Sequence, residues 1–86
     1  MYILRDKIHK VYLTPSIANY TKNPLEAAVF PDYDRALARL NEVNEAKEWS
    51  RVNTPEVKWT FVIDSVEYKC SELEICELTF NITPVK

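Results

Sequence analysis

The residue types that most often perform chemistry are few and widely spaced in this chain. His9 is the single histidine among 86 residues, the cysteines are Cys70 and Cys76, and the carboxylates nearest to them in sequence are Glu67, Glu72, Glu74 and Glu77. A zinc site would need His9, both cysteines and a glutamate to converge from distant segments; no metal is expected. Cys70 and Cys76 lack the close spacing of a redox pair, and Cys76 falls in phase with Leu78 and Phe80, which assigns it to a buried face as a reduced thiol. The glutamates could in principle supply paired carboxylates for acid–base work, but their alternation with apolar residues reads as a solvated strand face. The chain contains no glycine. Phosphate-cradling loops, dinucleotide fingerprints and nucleophile elbows all use backbone positions that a side chain obstructs, so these enzyme classes are excluded. The expectation is a protein with no catalytic residues and no cofactor.

What remains is binding chemistry. Tyr2 and Tyr12 alternate with Arg5, Lys7 and Lys10 in the N-terminal segment, and if the two rings share an outward face they form a stacking platform with basic neighbours, the minimum for single-stranded nucleic acid. The competing use of exposed aromatics is a protein interface, for which Trp49 is the candidate anchor and the acidic group Glu72, Glu74 and Glu77 the steering charge. Charge is polarised along the chain: residues 1–24 carry a balance of +3, residues 64–86 a balance of −3, and the whole carries −2. A net negative chain argues against general affinity for phosphate backbones. Protein binding is therefore the leading expectation, with a nucleic-acid-binding accessory protein using the basic hairpin as the alternative.

The elements that must position these residues are legible from periodicity. Phe30 to Trp49 carries the strong helical signal, with Tyr33, Ala36, Leu37, Leu40, Val43 and Ala46 on one stripe, and Leu40 at its centre expected to be buried. Asp32 is the N-cap and Asp34 adds favourable charge in the first turn. With no glycine to close it, the helix is expected to fray between Trp49 and Val52, ahead of Pro55. Tyr2–Arg5 and Lys10–Thr14 read as a hairpin pair around residues 6–9, with His9 an exposed turn residue. Residues 14–24 read as a surface loop in which Ile17 and Tyr20 cover a core edge. Residues 25–30 read as a third short strand, with helix as the competing assignment.

Beyond Pro55, Val57, Trp59, Phe61 and Ile63 alternate with Lys58, Thr60 and Asp64. Asp64-Ser65 is either a reversal into Val66–Cys70 or part of one bent strand. Cys76 to Thr83 forms the last strand, and the opposite phase of Leu73 and Ile75 predicts a turn or bulge near residues 74–76.

These elements predict one α+β domain over residues 1–86, an antiparallel sheet of about four to six strands with one principal helix packed on one face. The first residues lack the apolar run of a signal peptide and no membrane-spanning run is present, so a cytoplasmic protein is expected; a homodimer stays open. At Tyr2-Ile3-Leu4, Lys10-Val11-Tyr12-Leu13, Ala27-Ala28-Val29-Phe30 and Asp34 to Leu40, the layout resembles small bacteriophage accessory proteins. That resemblance covers the first half of the chain and carries no catalytic residue across. It implies a protein made in a bacterial cytoplasm that binds and inhibits or modulates a host protein.

Overall fold

The computed structural model describes residues 1–16, 19–79 and 82–85; Ile17 and Phe80, assigned above to the core edge and the last strand, lie outside them. The strands are β1 (Tyr2–Asp6), β2 (Tyr12–Leu13), β3 (Tyr20–Thr21), β4 (Thr60–Ile63), β5 (Val66–Lys69), β6 (Leu73–Leu78) and β7 (Ile82–Pro84), and the one long helix is α1 (Tyr33–Asn53). Five strands form an antiparallel sheet in the order β3-β2-β1-β6-β7, and β4 and β5 form a separate hairpin. The chain is α+β, and its radius of gyration of 12.8 Å lies close to the value of about 12 Å expected for one folded unit of this length.

The sheet is built on β1 and β6, which pair with Ile3 opposite Cys76 and Leu4 opposite Ile75. Helix α1 covers one face, where Ala36 packs with Leu4, Leu13, Leu73 and Ile75, and Leu37, Leu40 and Val43 close over them. The opposite face buries Ile3, Tyr12, Ala27 and Cys76 beneath Leu78 and Ile82. This second core explains the phase change near residue 75. Strand β6 runs without interruption, and Leu73 and Ile75 point to the helix while Cys76 and Leu78 point away, so the expected bulge is replaced by a strand buried on both faces.

Helix α1 starts where its chemistry indicates, with the Asp32 carboxylate accepting a hydrogen bond from the Arg35 amide at 2.8 Å. Its end is later than expected. Asn53 Nδ2 donates to the Trp49 carbonyl, and the Thr54 amide and hydroxyl both donate to the Ser50 carbonyl, so polar side chains close the last turn where a glycine is missing. Of the stripe residues only Ala36 is fully enclosed; Leu40 is half-buried and Ala46 exposed. The small Ala36 side chain sets the closest approach of helix to sheet, which keeps the bulkier neighbours at the rim.

Two local assignments are corrected. Residues 25–30 form neither strand nor α-helix: Asn23 caps a single 3-10 turn, Pro24–Glu26, after which an extended segment pairs Phe30 with Tyr2 through one isolated bridge. The third strand instead comes from the segment read as loop, where Tyr20 pairs with Leu13. Asp64-Ser65 resolves as a two-residue reversal between Ile63 and Val66, with φ of 52° and 65°. Positive φ at both central positions is the requirement of a type I′ turn.

Asp6 is the polar centre of the fold. It is 0% exposed, and its Oδ1 accepts from the amides of Ile8 and His9 and from Ser71 Oγ, while Oδ2 accepts from the Ser71 amide at 2.8 Å. Burial alone pushes this carboxyl up, but the hydrogen bonds from His9, Ser71 and Ile8 outweigh it and hold the carboxyl below its ordinary value. His9 is accordingly placed as a packing residue, not an exposed one: its ring lies 5.5 Å from Phe61 and 5.1 Å from Tyr68, and its Nε2 is 3.0 Å from the Lys69 carbonyl oxygen.

Asp6→Ala leaves four donors without their acceptor and is expected to lower unfolding free energy by about 3 kcal/mol or more, measured by urea denaturation at neutral pH. The folded carboxyl holds its proton less tightly than the unfolded one. Its contribution is therefore complete above the unfolded pKa of about 3.9 and is lost as pH falls through the lower folded value; Asp6→Asn should show correspondingly less acid sensitivity than the parent below pH ~4.

A second substitution isolates backbone conformation, because the Ser65 side chain is exposed. Ser65→Val should cost about 1–2 kcal/mol, the penalty of a Cβ-branched residue at positive φ, whereas Ser65→Gly should leave the denaturation midpoint unchanged or higher.

Candidate functional site

The C-terminal half of α1, the Pro55–Trp59 segment and the β4–β5 hairpin enclose a groove of about 650 Å³, lined by Lys47 and Arg51 from the helix, Val57, Lys58 and Trp59 from the segment, and Tyr68 and Lys69 from the hairpin. Its electrostatics separate it from the rest of the surface. Arg5, Lys7, Lys10, Lys22, Arg35, Arg39 and Arg51 each have a carboxylate partner. Among the described residues the remaining basic side chains are Lys47, Lys58 and Lys69, none has an acidic partner, and all line this groove. Lys47 is held in place by donating to the Ser71 carbonyl at 3.0 Å. Trp59 and Tyr68 add aromatic surface to the lining.

A smaller, mainly apolar cavity of about 120 Å³ adjoins the groove and shares Trp59, Thr60 and Cys70 with it. Leu13 and Tyr20 form its floor on the sheet side, and Arg39, Glu42, Val43 and Ala46 its helix side. In two of the lining residues one nitrogen each, Arg39 Nε and Trp59 Nε1, is enclosed by protein and has no hydrogen-bond acceptor among the described residues. Burial, followed by the adjoining Cys70, pushes the Tyr20 phenol up beyond the range in which it ionises in water. Burial likewise raises the Cys70 thiol, and the opposing influence of Lys47 is the smaller one. A thiol held protonated is a poor nucleophile.

The binding residues expected from the sequence, Tyr2, Arg5, Lys7, Lys10, Tyr12, Trp49, Glu72, Glu74 and Glu77, lie elsewhere. Tyr2 and Tyr12 do not share a face: Tyr2 packs edge-on against Tyr33 on the helix side, and Tyr12 is buried in the opposite core. Arg5 and Lys10 both pair with Glu74, at 2.9 and 3.6 Å, and Lys7 pairs with Glu72 at 3.1 Å. The basic hairpin and the acidic group thus neutralise each other across β1 and β6. Glu77 sits opposite Tyr2 on the helix side of β6, whereas Glu74 faces away, so the three glutamates form no common patch. Trp49 is 62% exposed, as an anchor must be, but at 100° per residue it lies on the far side of α1 from Lys47 and Arg51.

Sequence reasoning missed Trp59, Lys58, Lys69 and Lys47 as a group. The alternation around Phe61 placed Lys58 outward, but nothing local indicates that three lysines from separate segments meet.

Among the described residues no three His, Cys, Asp or Glu side chains come together as a metal site, Cys70 and Cys76 are unbridged, and no helix is long and apolar enough to cross a membrane. No protein-family model, no curated protein and no solved structure matches the chain.

Proposed function

We propose that this protein is a non-enzymatic binding module that receives an acidic segment of another protein in the groove between α1 and the β4–β5 hairpin. The observation that carries this reading is the convergence of Lys47, Lys58 and Lys69, the described basic residues without an acidic partner, on one groove with Trp59 and Tyr68. Unpaired cations held around an aromatic surface offer charge complementarity for carboxylates and a desolvated anchor for an apolar residue between them. The protein partner is also favoured over nucleic acid by the charge of the whole molecule. At a net −2, a continuous phosphate chain leaving the groove at either end meets repulsion. A short acidic peptide segment avoids that field.

The test is fluorescence anisotropy of a labelled peptide alternating Asp, Glu and Phe, with labelled single-stranded oligothymidine as comparison, at about 0.15 M salt, where exposed charges more than about 8 Å apart are screened. The peptide is expected to bind saturably and the oligonucleotide not. Lys58→Glu with Lys69→Glu should weaken the peptide at least about tenfold, a loss of about 1.4 kcal/mol. Joint replacement of Arg5, Lys7 and Lys10 by Gln should leave it unchanged. Saturable oligonucleotide binding that is lost with Lys58 and Lys69 would transfer the groove to nucleic acid, and peptide binding indifferent to both lysines would remove the groove from the function.

A further inference from the structure

The outer face of α1 is apolar and acidic where the groove is aromatic and basic. Trp49 and Val52 are 62% and 63% exposed. At about 100° per residue they stand with Glu45 within about 60° of one another around the helix axis, while Ala36 and Ser50, the buried residues of the helix, mark the opposite side. The ion pairs of the helix join Arg35 to Asp32, Arg39 to Glu42 and Arg51 to Glu48. Asp34 and Glu45 are left on the outer face without a cation among the described residues. Asn53 Nδ2 donates to the Trp49 carbonyl at 2.9 Å and so helps to keep the last turn helical, which fixes where Trp49 and Val52 stand.

An exposed tryptophan beside a valine is a large apolar surface, and aromatic residues of this kind anchor interfaces when a partner desolvates them. The charge around the pair selects a cationic partner surface. Among the described residues the basic side chains free to provide one are Lys47, Lys58 and Lys69, which line the groove with Trp59 and Tyr68. The two surfaces therefore complement each other in charge, and both carry aromatic area. The groove's volume of about 650 Å³ lies in the range of about 300–1,000 Å³ that takes a drug-sized group, enough for an indole and a valine side chain. The surfaces cannot meet within one molecule. Lys47 and Trp49 lie about 160° apart around the same helix, so the contact must join two copies.

With the groove taken as the acidic-segment site proposed above, we infer that the groove of one copy receives the Glu45, Trp49 and Val52 face of a second copy. The protein then assembles head to tail, and an acidic partner segment competes with that assembly for the groove. Because the two surfaces point in different directions, the contact is heterologous, and each run of copies ends in one free groove and one free helix face. A contact centred on two apolar side chains and a few exposed charges belongs with the weak, transient interfaces and is sensitive to salt.

The test is sedimentation velocity of the intact protein from about 10 µM to about 1 mM, where weak interfaces become populated, at about 0.05 M and about 0.5 M salt. The weight-average mass should rise with concentration at the lower salt, and the association should weaken at least about fivefold at the higher. Trp49→Ser with Val52→Ser removes the helix face, and Lys58→Glu with Lys69→Glu removes the groove; all four side chains are exposed, so the fold is spared. Each variant alone should stay monomeric. Mixed in equal amounts, they should form a one-to-one dimer and nothing larger, because the mixture holds one working groove and one working face per pair. The Asp, Glu and Phe peptide should return the parent protein to monomer at saturation. Peptide binding by a parent protein that stays monomeric throughout overturns self-assembly and leaves the groove as an acidic-segment site. Self-association that survives either variant, or a mixture that stays monomeric, also overturns it, and loss of peptide binding together with self-association removes the groove itself.

Discussion

The buried carboxylate of Asp6 is the interaction on which the remaining geometry rests. An anion withdrawn from water is costly unless its oxygens are fully occupied, and here both are: the Ile8 and His9 amides and the Ser71 hydroxyl on one, the Ser71 amide on the other. Charge-assisted bonds of this type are the strong ones, and their combined effect is seen in a carboxyl that stays ionised despite burial. The consequences propagate in two directions. Fixing His9 presents its ring to Phe61 and Tyr68, which docks the β4–β5 hairpin against the main sheet. Fixing Ser71 places the carbonyl that receives Lys47. Both walls of the groove therefore trace back to one side chain in the first turn of the chain.

A chain without glycine must solve its reversals differently, and the solutions are visible. Lys10, Asp64 and Ser65 take positive φ, each at a backbone cost of about 1–2 kcal/mol. Two of the three are also tied to neighbours: Lys10 to Glu74, and Asp64 to Lys22 at 3.0 Å. The end of α1 is closed by Asn53 and Thr54 side chains. At the end of the helix, polar side chains thus take over work that glycine does elsewhere.

What was legible in the sequence followed from local physics. Asp32 as cap and the inward phase of Phe61 depend on residues within one or two turns, and the structure places them accordingly; the helical stripe is met in part, with Ala36 enclosed, Leu37, Leu40 and Val43 half-buried and Tyr33 and Ala46 exposed, and Val57 lies exposed ahead of β4. Strand β6 was misread because period-two reasoning assumes one buried face, while Leu73 and Ile75 serve one core and Cys76 the other. Tyr20 was read as loop because a two-residue strand carries no periodic signal; its pairing with Leu13 exists only once β1 and β2 are in place. The site was least legible of all. Arg5, Lys7 and Lys10 look like a free basic patch until the register of β1 against β6 brings Glu72 and Glu74 beside them.

That pairing has a wider electrostatic effect. By bringing the basic start of the chain against the acidic strand β6, the fold cancels the polarity that dominates the linear sequence, and what survives is not the residue of either run but three lysines from the helix, the following segment and the hairpin. Screening confines their influence to within about 8 Å at physiological salt, so a ligand feels them only inside the groove. There it also meets Trp59, which lines both the groove and the adjoining cavity.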